Sequence, residues 1–237
     1  MSNTYNFALP LVQAAQAQKH VTVNEALARV DAVTQMRLVN INVVAPPAAT
    51  DGMAYGVGVS AIGDWVGHDG EIAIYANGGW VFLLPKFGWK AWNENTNVPM
   101  VYDGVDWQPE ALVVSIGGAA TFSRIAELDH VLASAATSTT IDMIPQNAVV
   151  YGVTARIISE ITGAGVSSWS VGVPGSPSQY GSGLGLALNS YAHGLSGSPQ
   201  AYYGATPLVI TADAGSFSGG VVRLAVHYLE LGRPRAV

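Results

Sequence analysis

Cysteine is absent from this chain of 237 residues. That excludes disulfides, thiolate metal sites and a cysteine nucleophile together, and it makes the fold indifferent to the redox state of its compartment. Charge is also scarce. Asp, Glu, Lys and Arg make up 11% of the residues, against roughly 25% in an average soluble domain. With 27 glycines and a positive mean hydropathy, the deficit predicts a surface largely covered by other copies or other proteins, so an oligomer is expected. Basic residues number 10 against 16 acids, a net charge of -6. Binding to a phosphate backbone needs clustered Lys and Arg, so nucleic acid is excluded as a partner. Long apolar runs are missing too. Gly, Asn, Asp and Pro interrupt every candidate before the roughly twenty residues a transmembrane helix requires, and no membrane insertion is expected. The opening residues, MSNTYNF, lack the basic and apolar regions of a secretory signal, so the expectation is synthesis in a cytoplasm.

What is present is concentrated. Five of the six tryptophans fall between Gly63 and Trp107, nearly all beside a glycine or an aspartate. Short runs at Glu71 to Tyr75, Trp80 to Leu84 and Met100 to Tyr102 are rich in β-branched and aromatic residues. Asn77-Gly78-Gly79 and Asp103-Gly104 separate them, and those residue types tolerate the positive φ of hairpin turns. The pattern Tyr, turn with Gly, Trp occurs at Tyr75 to Trp80 and again at Tyr102 to Trp107, which reads as two copies of one hairpin. Each aromatic buries roughly 150–250 Å², so most of these tryptophans are read as the core of a small module. One or two facing outward as stacking platforms remains the alternative.

Leu11 to Leu38 is the helical region. Thr22 followed by Glu25 has the spacing of a capping box, which would start the main helix at Thr22. Leu27, Val30, Val33 or Thr34, and Arg37 then mark one face at helical spacing, and Leu27, Val30, Val33 and Arg37 are the candidate oligomerisation or attachment residues. Ala14 to Gln18 is read as a shorter helix. A lone short helix must pack on something, either the tryptophan module or the same helix of a neighbouring copy. Pro46-Pro47 begins a linker, and near residue 115 the composition changes: tryptophan almost disappears while Ser, Thr, Gly and β-branched residues dominate. The expected divisions are 1–45, 46–114 and 115–237. Beyond the last boundary, strands are expected at Val131 to Ala135, Thr139 to Ile144, Val149 to Ile158, Trp169 to Val173, Leu184 to Leu188, Pro207 to Thr211 and Val221 to Leu231. In the last of these Val222, Leu224, Val226 and Tyr228 should share one face. Six to eight strands without intervening helices predict an antiparallel β-sandwich or jelly roll, and a mainly β protein with one N-terminal helix.

Chemistry leaves little trace. There is no G-x-S-x-G elbow and no dinucleotide-binding glycine spacing. His20, His68, His130, His193 and His227 are scattered without metal-ligand spacing, and Asp64 and Asp69 lack the alternating acids of a calcium loop. No metal, no cofactor and no catalytic residue are assigned, and Asp64 and Asp69 are read as turn formers. A polysaccharide depolymerase would need two carboxylates roughly 5–9.5 Å apart across the cleaved bond, and nothing singles out such a pair.

Leu9-Pro10-Leu11 followed by Gln16-Ala17-Gln18-Lys19-His20-Val21-Thr22-Val23-Asn24-Glu25-Ala26-Leu27 and continuing to Asp31 resembles the opening signature of a family of fibre and spike proteins of alphaproteobacterial phages and gene transfer agents. The stretches Trp65 to Ala73 and Gly78 to Phe82 resemble the Gly/Trp module that follows it there. The resemblance covers about residues 8 to 110. It implies a virion component, by family habit a homotrimer, that associates with other virion proteins and displays a receptor-binding end toward the host surface. For that end the residues favour sugar binding, because flat aromatic faces with short polar side chains grip a saccharide. Tyr180, Tyr191, His193, Tyr202 and Tyr203 fall in the loop-like stretches 174–183 and 189–204, and they are the candidate contacts for a host surface polysaccharide or protein. The alternatives are that these tyrosines pack loops or a subunit interface, that the whole chain is an architectural adaptor or baseplate subunit, or that it is a capsule-degrading enzyme.

Overall fold

The computed structural model describes residues 3–12 and 19–236. The expected short helix at 14–18 lies outside them. The protein is mainly β, with one α-helix among the described residues, and its chain divides into two compact units: Met1–Ala120 together with Arg233–Val237, and Thr121–Gly232.

In the first unit, helix α1 (Lys19–Val33) leads into β1 (Arg37–Leu38), β2 (Asn40–Val43), β3 (Ala54–Val57), β4 (Ile72–Ala76), β5 (Gly79–Leu83), β6 (Lys90–Asn93), β7 (Val98–Tyr102), β8 (Trp107–Pro109) and β9 (Ala111–Val114). Two antiparallel three-stranded meanders, β3-β4-β5 and β6-β7-β8, form the body. The segment 37–43 adds a parallel edge to each: β1 pairs with β6 and β2 with β3. The two expected hairpin copies are both present in matching register, Tyr75 opposite Trp80 and Tyr102 opposite Trp107. Their ring centroids lie 4.9 and 5.3 Å apart in edge or tilted contact, the arrangement the aromatic quadrupole favours. The first turn is a two-residue one, with Asn77 at φ 53° and Gly78 at φ 77°, a double positive φ that only residues such as Asn and Gly adopt readily. Of the five clustered tryptophans Trp65 alone is fully buried, packed edge-on against Trp80 at 4.9 Å. Trp80, Trp89 and Trp107 are half-buried and Trp92 is 41% exposed.

Helix α1 begins at Lys19, not Thr22, so Thr22 occupies an interior position of the helix. The helix packs on the β meanders: Ala32 is buried in one cluster with Met36, Leu38, Ile74 and Met100. The expected face Leu27, Val30, Val33 and Arg37 is not one face. Leu27 and Val33 are half-buried, Val30 is 52% exposed, and Arg37 has left the helix for β1, where its guanidinium pairs with Glu94. Helical spacing stops early because the chain reverses at Gln35, in the left-handed region at φ 53°. The inward position is held instead by Asp31, an acid 2% exposed. Its carboxylate accepts hydrogen bonds from Thr4 Oγ1 at 2.7 Å, Asn6 N at 2.7 Å and Phe7 N at 2.8 Å. Two turns earlier, Asn24 holds both the N–H and the C=O of Val12 through its amide, at 2.9 and 3.1 Å. These polar residues of the helix therefore pin the segment that precedes it.

The second unit contains β10 (Ala120–Val131), β11 (Thr137–Ile144), β12 (Ala148–Ala164), β13 (Trp169–Val173), β14 (Ser176–Leu184), β15 (Tyr191–Tyr202), β16 (Thr206–Ala212) and β17 (Ser216–Leu231). Pairing is nested: β10 with β17, β11 with β16, β12 with β15 and β13 with β14, all antiparallel. A long hairpin folded over itself in this way sets the strands of this unit in two sheets, in the orders β15-β12-β17-β10 and β11-β16-β13-β14, which is the strand order of a jelly roll. Between the sheets lies one core containing Val150, Ile157, Trp169, Val171, Leu208, Ile210, Phe217, Val222, Leu224 and Val226. The expected alternation of β17 holds, with Val222, Leu224 and Val226 fully buried and Tyr228 6% exposed. Three expectations fail. The stretches 174–183 and 189–204 are mostly strand, and Leu184 to Leu188 runs largely through the connection between β14 and β15. The strand expected at 131–135 lies earlier, at Ala120–Val131.

Candidate functional site

Strand geometry sends alternate residues to opposite faces, so the sheet that buries Val222, Leu224 and Val226 must present Arg223, Ala225 and His227 outward. Register aligns these with outward residues of the neighbouring strands. One row across the sheet reads Glu127, Ala225, Thr154, His193, and the next reads Asp129, Arg223, Arg156, Tyr191. In the centre the short side chains of Ala225 and Thr154 leave a shallow depression of about 330 Å³, walled by Glu127, Arg156, Tyr191, His193, Arg223 and His227. This is the candidate site.

Its polar groups are arranged in two halves. On one side Asp129 grips Arg223 in a two-pronged contact, Nε at 2.6 Å and Nη2 at 2.7 Å, with Glu127 3.9 Å from Nε. The hydrogen bonds from Arg223, followed by its charge, hold the Asp129 carboxyl below the ordinary carboxylate range, and the same contact raises the guanidinium. On the other side Arg156 stands over the Tyr191 ring at 5.7 Å, and that ring tilts against His193 at 5.3 Å. Between the halves Thr154 Oγ1 and His227 Nε2 are 3.1 Å apart. A surface combining a cation, two exposed rings and a hydroxyl can hold a polar ligand with a flat apolar face. Among the described residues no group of three or more His, Asp or Glu is placed to hold a metal.

The five expected contact residues do not converge. Tyr191, 62% exposed, and His193 share the depression. Tyr203 is 82% exposed, beyond the end of β15. Tyr180 is a correction: it is 2% exposed, in β14, with its hydroxyl 2.8 Å from that of half-buried Tyr202. The glycines around it suggested a loop, whereas they serve a close crossing of strands: a Cβ on Gly194 would stand 2.1 Å from the Tyr180 carbonyl oxygen. Burial and the Tyr202 hydroxyl raise the Tyr180 phenol well above its usual range. Thr154, Arg156, Glu127, Arg223 and His227 are site residues absent from the expectation. Their signal was a polar residue at every second position of a β-rich stretch, which marks an outward face but not its neighbours.

Residues 23–108 match the sequence profile of a family described as a protein of unknown function, DUF2793. No curated protein matches the chain. Among solved structures, a chain of the "Cyanophage Pam1 capsid asymmetric unit" is similar to it at 22% identity over 46% of this chain and 86% of that one, with a TM-score of 0.38.

Proposed function

We propose that the protein is a non-enzymatic virion subunit of the fibre or spike type, held among other virion proteins by its first unit and meeting a host surface glycan with the outward face of the β15-β12-β17-β10 sheet. The observation that carries the proposal is the depression itself, where Tyr191 and His193 stand exposed beside Arg156 over a floor of short side chains. The resemblance of residues 16 to 31 and of the Gly/Trp module to fibre and spike proteins supports the virion setting. The low charge and the exposed Val23 and Val30 on α1, 43% and 52%, support association with sister copies, for which a trimer is the expected state. In this reading the tryptophan-rich unit is scaffold, because its aromatic pairs are spent on one another.

The test is binding of the full chain to surface polysaccharide extracted from susceptible cells. Saturable binding is expected, weakened at least about tenfold by Tyr191→Ala combined with His193→Ala, since stacking contacts are worth roughly 1 kcal/mol each. Reducing ends should not accumulate in the same mixture. Absence of binding to cells and to polymer at any reachable concentration removes the glycan reading. A second reading has its own observation: Ile125 and Leu195, 59% and 79% exposed, lie in the row next to the depression. That apolar row fits packing against another virion protein, which would make this an architectural subunit. Hydrogen exchange on assembled particles separates the two, because an architectural face is protected there and a receptor-binding face is not.

A further inference from the structure

Arg156 and Arg223 are directly opposite each other on β12 and β17. Like charges in that position are destabilising, so something must offset the pair. Arg223 has its offset in Asp129 and Glu127. Arg156 has none: among the described residues no carboxylate lies within ion-pair distance of it. Its guanidinium makes a long contact of 3.4 Å to the Asn189 carbonyl and a stacking contact with Tyr191. The chain's net charge of -6 does not supply the missing partner, because at physiological salt fields are screened over about 8 Å and both nearby acids are committed to Arg223. Arg156 thus presents a planar fork of N–H donors, oriented by an aromatic ring, beside His193 and a hydroxyl.

From this we infer that the depression takes an acidic saccharide, with the sugar carboxylate bridged by the Arg156 guanidinium and the ring face laid against Tyr191 and His193. A planar carboxylate accepts two parallel N–H bonds from arginine, a geometry lysine cannot reproduce. The inference rests on the glycan reading above and narrows it to one chemical class.

The experiment is a titration of the full chain with glucuronate and galacturonate, and separately with glucose and galactose, following the Arg156 Nε–Hε and the Tyr191 and His193 ring resonances by NMR. Expected are saturating shifts with the uronates and an apparent Kd at least about tenfold below that of the neutral sugars, as a charge-assisted bond implies. Arg156→Gln should abolish the difference and Arg156→Lys should retain only part of it. If neutral sugars shift Tyr191 and His193 as strongly as uronates do, the glycan reading stands and the acidic class is wrong. Sodium sulfate at equal ionic strength producing the same shifts would reduce Arg156 to a counter-ion site and overturn the inference. No shift with any sugar overturns both readings.

Discussion

Asp31→Ala offers a direct test of how the first unit is held together. Asp31 is buried, yet its carboxyl lies below the ordinary range: burial alone would raise it, and the hydrogen bonds from Asn6, Thr4 and Phe7 outweigh that effect. The substitution removes three bonds to a charged acceptor, each worth roughly 1.5–3 kcal/mol when the partner is left dry. The donors of Asn6 and Phe7 belong to exposed residues and regain water, whereas the hydroxyl of Thr4, which is 5% exposed, does not. A net loss of about 3 kcal/mol follows, lowering the midpoint of a unit of this size by roughly 10 °C. Tryptophan fluorescence isolates the effect, since five of six tryptophans lie in the first unit and only Trp169 in the second. The transition dominated by the five should move down, while that of Trp169 in a separate far-UV and fluorescence comparison should stay. Limited proteolysis should also cut within residues 4–12. A variant within 0.5 kcal/mol of the parent, roughly the scatter of neutral surface changes, would refute the view that Asp31 pins this segment.

Further outcomes follow from other contacts. Burial holds the His130 imidazole below its usual range, and its Nε2 is 2.8 Å from Ser138 Oγ; unfolded, it titrates near 6.5. Between the folded and unfolded values the unfolded chain binds more protons, so stability rises with pH, is fully present above about 6.5 and is lost as pH falls through the folded value. Urea melts from pH 5 to 8 should show that slope in the parent and a flatter one in His130→Gln. Gly194→Ala would force a Cβ to 2.1 Å from a strand carbonyl and should cost the second unit about 3 kcal/mol, read from Trp169 emission; an unchanged melt would deny the close crossing. Tyr180→Phe removes one partner of the buried hydroxyl pair and should cost about 1 kcal/mol by the same readout.

The sandwich was legible wherever burial alternates with period two, and opaque where glycine does structural work. Trp169 to Val173 and the face Val222, Leu224, Val226, Tyr228 could be read because every second residue is large and apolar. β14 and β15 could not, since Gly181, Gly183, Gly194 and Gly197 with serine and proline have the composition of a loop. Gly194 shows why composition misled: the sheet needs an absent side chain there. In α1 the apolar spacing gave no place to Asp31. Burying an unpaired charge is costly, but Asp31 has three donors waiting for it from a segment far enough upstream to be invisible to helical periodicity. Two of the seven side chains of the candidate site were within reach, Tyr191 and His193. Arg156 and Arg223 become neighbours only through the pairing of β12 with β17, and no local pattern encodes which strands meet.

The return of the tail has a genetic consequence. Arg235 donates from its backbone to Gly117 and approaches the Asp103 carboxylate at 3.3 Å, so the last residues complete the same body that the first 120 begin. The jelly roll is thus encoded as an insert bounded by two junctions. Recombination that swaps it cleanly must cross over twice, near Ala120 and again near Gly232. A single crossover would import a foreign tail, and the chimera would keep its new sandwich only at the expense of the clasp around Asp103.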